Sequence, residues 1–135
     1  MQRPIKFRAW HRFIKIMFKH VCKLEFSNWN GEEHHLVSVF ARNHDDQAHL
    51  DEAKNWELLQ FTGLKDKNGV EIFEGDILIE RLNPSTREAG FVEFYEGIFW
   101  LKYKNNSTQD LRSRMFFDAE VIGNIHEHPH LLEAK

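Results

Sequence analysis

Apolar and basic side chains alternate along Ile5-Lys-Phe-Arg-Ala9, the period-two pattern of a half-buried strand with Lys6 and Arg8 turned outward. A second apolar-basic run from Phe13 to Leu24, carrying Ile14, Ile16, Phe18 and Val21, predicts its antiparallel partner, although His11-Arg12 is poor turn chemistry between them. Asn28 to Gly31 reads as a loop and Leu36 to Phe40 as a short strand. Asp45 to Asn55 has capping-type acids, two alanines and no β-branched residue, which predicts a helical turn or two. From Trp56 the signals sharpen. Leu58 to Lys65 is strand-like, and Asn68-Gly69 sits where a two-residue hairpin requires positive φ at both central positions. Glu74-Gly75-Asp76 turns the chain into Ile77 to Leu82, which Asn83 to Thr86 ends as a loop. Gly90 to Tyr95 and Ile98 to Tyr103 flank Glu96-Gly97 as a second hairpin, Asn105 to Thr108 is a polar loop, and Ala119 to Ile125 is a last strand.

The count is about eight short strands separated by turns, with little helix, a pattern that points to a mainly β sandwich or small barrel. No linker or repeat divides the 135 residues, so a single domain, 1–135, is expected. Aromatic content is dominated by twelve Phe and four Trp, side chains that pack well on pleated surfaces.

Charge alters the picture. The formal net charge is −3, yet residues 1–24 hold Arg3, Lys6, Arg8, Arg12, Lys15, Lys19 and Lys23 with no acid. Residues 25–57 reverse the balance with eight acids against Arg42 and Lys54. Such polarity can steer an anionic partner to one face, or let the two segments neutralise each other within the fold or across subunits. Cys22 is the only cysteine, which excludes an intramolecular disulfide and fits a reducing cytosol. No stretch has the length of a secretory h-region or a membrane span, so no membrane partner is expected.

Lys6-Phe-Arg-Ala-Trp10, Met17, Gln60-Phe-Thr-Gly-Leu-Lys-Asp-Lys-Asn-Gly69, Glu71-Ile-Phe-Glu-Gly-Asp-Ile77 and Glu120-Val-Ile-Gly-Asn-Ile125 resemble the YopX family of phage- and prophage-encoded proteins. The blocks span nearly the whole chain. The resemblance implies a β-rich domain similar to SH3-type barrels and a tendency to form homo-oligomers; joined to the strand pattern, it predicts a small SH3-like barrel with strands between Trp56 and Ile125 and an additional N-terminal antiparallel strand pair. It implies no enzymatic activity and transfers no catalytic residue. Two departures stand out: His11 occupies a place where Asp is common, weakening the first turn, and the tail reads His126-Glu-His-Pro-His130 instead of Tyr, Asn and an acid.

Candidate chemistry is sparse. His126, His128 and His130 would share one face of an extended segment, but Pro129 interrupts it and no second cluster has metal-ligand spacing, so neither a metal nor a cofactor is assigned. Cys22, between Val21 and Leu24, reads as a buried small hydrophobe rather than a nucleophile. Asp76 is expected to tie down turn amides. The glycines are scattered singly and form no phosphate loop. What remains is the basic N-terminal pair: Arg8, Trp10, Arg12, Lys15 and Lys19 interleave cation and ring, as in surfaces that grip phosphate and stack a base. The expectation is a non-enzymatic, self-associating accessory module whose partner is unassigned, a host protein among the possibilities. The alternative is nucleic-acid binding through those five residues.

Overall fold

The computed structural model describes residues 4–27, 35–45, 47–80, 88–114 and 119–133. The loops expected at 28–31 and 83–86 lie outside these residues. Strands dominate: the fold is mainly β and antiparallel, with one sheet curled into a half-barrel. Contacts gather into two compact units, Ile5–Gln60 and a second that begins at Phe61.

The first unit holds β1 (Phe7–His11), β2 (Ile16–Phe18), β3 (His20–Phe26), β4 (Leu36–Arg42), β5 (Ala48–Glu52), a 3₁₀ turn at Ala53–Asn55 and the first half of β6 (Trp56–Lys65). β1 is central, pairing antiparallel with β2 and β6, while β3, β4 and β5 form a separate three-stranded meander. Alternation along β1 sends Ala9 toward Phe18, Val39, Ala41 and Trp56, the core of this unit. Trp10 points the other way and packs with Met17 and Leu59. Both faces of β1 are therefore covered, which is why apolar residues crowd this segment.

Two expectations change here. The run from Phe13 to Leu24 is not one strand: it contains a turn, β2 and β3, with Lys19 as the break. The stretch 45–55 is mostly strand β5, and helical geometry is confined to the 3₁₀ turn. Pairing with β4, Phe40 opposite Leu50, overrides a local composition that favours helix.

The second unit holds the rest of β6, then β7 (Glu71–Phe73), β8 (Asp76–Glu80), β9 (Gly90–Tyr95), β10 (Ile98–Tyr103), β11 (Thr108–Asp110), α1 (Leu111–Arg114), β12 (Ala119–Asn124) and α2 (His130–Glu133). Five strands form one antiparallel sheet in the order β11-β10-β9-β8-β12. Ile72, Leu78, Val92, Leu101, Leu111 and Ala119 fill its core. The described residues thus contain twelve strands where about eight were expected, because β2, β7 and β11, at three residues each, are too short to show a period and β5 has a helix-like composition.

The Gln60–Ile77 motif works as structural joinery. Asp66 is buried and accepts three backbone N–H groups: Asn68 at 2.8 Å, Val70 at 2.9 Å and Val121, from β12, at 2.9 Å. Burial pushes its carboxyl up, but the amides of Val121, Val70 and Asn68 together hold it below its ordinary value. Asp76 accepts the Phe73 N–H at 2.8 Å, the turn-tying role expected of it. The Asn68-Gly69 turn differs in type. Only Gly69 is left-handed (φ 82°), and Asp66 pairs with Val70 around a type I turn closed by Gly69. The mirror-image turn with both residues at positive φ falls at Glu96 (49°) and Gly97 (81°) instead.

Candidate functional site

The N-terminal hairpin carries the predicted site, and its turn is built around a histidine. Residues 12–15 connect β1 to β2, with Lys15 donating its N–H to the His11 carbonyl at 3.0 Å and adopting φ 59°. His11 is only 2% exposed. Its Nδ1 accepts the backbone N–H of Phe13 at 3.3 Å and of Ile14 at 3.2 Å. A ring nitrogen facing two donors must present its lone pair, so the proton sits on Nε2, which donates to Asp51 Oδ2 at 2.7 Å. That bond, followed by the Glu52 N–H, holds the Asp51 carboxyl well below the usual carboxylate range. Trp56 and His49 close edge-on around the His11 ring, with centroids 4.8 and 4.7 Å away. His11 therefore does not weaken the turn. Like an aspartate in an Asx turn it accepts N–H groups two and three residues on, and it reaches β5 as well.

His11, His49 and Asp51 are also the group among the described residues with the donor atoms of a metal site, all within 4.8 Å of one another. The sequence reading missed it. The available signal was His49-Leu50-Asp51, whose spacing of two puts both side chains on one strand face. The tautomer argues against a cation. A metal on Nε2 would force the proton onto Nδ1, against two backbone N–H groups. The trio serves the turn.

The five predicted residues are not brought together as one surface. Trp10 is 9% exposed and packed with Met17 and Leu59, so its face is not open for stacking. Arg8 is half-buried. Arg12 pairs with Glu57 at 2.8 Å. Lys15 is exposed in the turn, and Lys19 is exposed beyond it, its backbone N–H bound to Asn43 Oδ1 at 2.8 Å. What the hairpin does expose is apolar: Phe13 at 71% and Ile14 at 43%, flanked by Arg12 and Lys15.

Other expected features move. Cys22 is exposed, not buried, because the β3–β4 register shifts between Val21 and Lys23. Its Sγ lies 3.7 Å from the His20 carbonyl, a weak donor contact. His126, His128 and His130 do not line a strand face: a turn follows β12 and α2 begins at His130. His128 Nδ1 accepts the Asn124 N–H at 3.2 Å, which commits that ring to the turn.

In the second unit β9, β10 and the β10–β11 region form an open groove of about 440 Å³. Tyr95 and Trp100 supply its aromatic surface, and Glu93, Glu96, Lys102, Asn106 and Thr108 its polar groups. The Trp100 indole N–H donates to the Tyr95 carbonyl at 3.2 Å, which fixes the ring, while Tyr95 is 61% exposed. Lys102 stands 3.9 Å from Glu93, which leaves Glu96 without an ion pair among the described residues that line the groove.

The YopX family model matches residues 6–133, a span that runs through both units. The chain belongs to the YopX family. Protein EF1440 from Enterococcus faecalis is similar in structure, with a TM-score of 0.67 and 29% identity over 97% of this chain and 99% of that one. YopX from Bacillus subtilis shares the fold at a TM-score of 0.59 and 18% identity, covering 96% of this chain and 97% of its own. Among curated proteins none matches. No described helix is long and apolar enough to cross a membrane.

Proposed function

We propose that this YopX-family protein is a non-enzymatic binding module that self-associates, with the tip of the N-terminal hairpin as its contacting element. The observation that carries this reading is the exposure of Phe13 (71%) and Ile14 (43%) on a backbone pinned by a buried histidine. Apolar side chains carried on a fixed backbone cost less entropy to cover, which is how a few residues come to dominate an interface. Support against an enzymatic role is chemical. The titratable pair His11 and Asp51 spends both imidazole nitrogens on structure. In the same reading the protein is a phage or prophage accessory factor of the bacterial cytoplasm, in keeping with its family resemblance and lone cysteine.

Nucleic-acid binding is the second reading, favoured by seven cations and no acid in residues 1–24. Burial of Trp10 and the Arg12–Glu57 pair remove two of its five groups, which ranks it below self-association. Light scattering across a dilution series tests the choice. The wild-type chain should exceed monomer mass and fall toward it on dilution, with Phe13→Ser monomeric throughout. A wild-type monomer at every concentration, together with oligonucleotide binding that weakens steeply with salt, would reverse the ranking.

A further inference from the structure

We infer that the groove of Tyr95 and Trp100 is the receptor for the hairpin tip of a second copy of this chain. The inference rests on the self-association proposed above and names the surface that the tip meets. Its basis is complementarity in two properties at once. The tip offers an exposed Phe13 and Ile14 beside the exposed cation Lys15, while Arg12 is held by Glu57. The groove offers a Tyr and a Trp among carboxylates, with Glu96 left over after Lys102 is set against Glu93. Aromatic and aliphatic side chains pack on a fixed indole, and a Lys or Arg is attracted both to the ring face and to the carboxylate beside it. An anionic strand is the wrong occupant, since its phosphates would meet Glu93 and Glu96.

The two surfaces are preorganised independently. His11 fixes the tip. The Trp100–Tyr95 hydrogen bond and the Glu96-Gly97 turn fix the groove. Lys15 and Glu96 are both exposed turn residues, at φ 59° and 49°. A contact of tip with groove joins unlike surfaces, so every open assembly keeps one free tip and one free groove until a ring closes.

Charge exchange tests the pairing. Lys15→Glu and Glu96→Lys are made separately, and neither residue belongs to a packed core. Each alone should weaken self-association roughly five- to tenfold, as expected when an exposed attraction becomes a repulsion. An equimolar mixture should recover the wild-type constant, because in every unlike pair the charges match again. The inference is overturned if the wild type associates and the single variants match it, in which case the tip meets another surface and the binding-module reading stands. It is equally overturned if both variants weaken but their mixture fails to recover. A wild type that stays monomeric removes the self-association reading itself.

Discussion

Replacing His11 is the sharpest test of how the tip is held. His11→Ala removes a buried ring that accepts two turn N–H groups and donates to Asp51 at 2.7 Å. Loss of a hydrogen bond to a charged partner costs about 1.5–3 kcal/mol, and the side-chain volume lost beside Trp56 adds about 1–2 kcal/mol. The turn amides lie near the exposed tip and regain water, so they add little. A total of about 2.5–5 kcal/mol is a large part of a domain's usual 5–15 kcal/mol. His11→Asn should recover about 1 kcal/mol of this, since a side-chain carbonyl at that position accepts the N–H two residues on but cannot reach Asp51. Urea denaturation followed by tryptophan fluorescence reads the difference. At a slope of about 1.5 kcal/mol per M, the Ala variant should lose about 2–3 M from its midpoint and the Asn variant visibly less. An Ala variant within about 1 kcal/mol of wild type, or an Asn variant no better than Ala, would refute the turn-lock argument.

Three further outcomes follow from the geometry. Asp66→Ala leaves three backbone N–H groups without their acceptor and should destabilise by about 2–4 kcal/mol, read from the same urea transition; a change below about 0.5 kcal/mol would contradict the joinery role. Asp51 and Asp66 titrate below their unfolded values. Their stabilisation is therefore fully present above the unfolded carboxylate pKa of about 4 and is lost as pH falls from there toward the depressed folded values. Acid melting curves should show that loss shrink in Asp51→Asn, and an unchanged acid slope would speak against it. At Gly123 an added Cβ would lie 2.7 Å from His128 Nδ1 and 2.8 Å from Leu131 Cδ1, so Gly123→Ala should dislodge α2 and raise amide exchange over 128–133. Unaltered exchange there would count against the packing.

Legibility from sequence varied with the physics of each segment. β9 and β10 were read to the residue, because Glu96-Gly97 punctuates two clean alternations. The 13–24 run misled because both faces of the hairpin are apolar, so no period marked where Lys15 turns the chain. β5 was hidden by the Ala and acid content of 45–55, which strand pairing overrides. The site was harder still. His11 looked like a defect in a turn until Phe13, Ile14 and Asp51 were seen around it, forty residues separating it from the last. The Tyr95–Trp100 groove draws on three strands, of which β11 (Thr108–Asp110) is too short to show a period, so only its β9–β10 part was legible. The motif that identified the family, around Asp66 and Asp76, proved to specify turns and strand attachment, which is why it spoke to fold and not to function.

The most direct test of self-association through the hairpin is site-specific photo-crosslinking from position 13, with Phe13 replaced by p-benzoylphenylalanine and adducts mapped by mass spectrometry. Adducts at twice the chain mass, joined to peptides that include residues 93–108, are the predicted result. Adducts confined to a single chain, or formed only with added oligonucleotide, would contradict it.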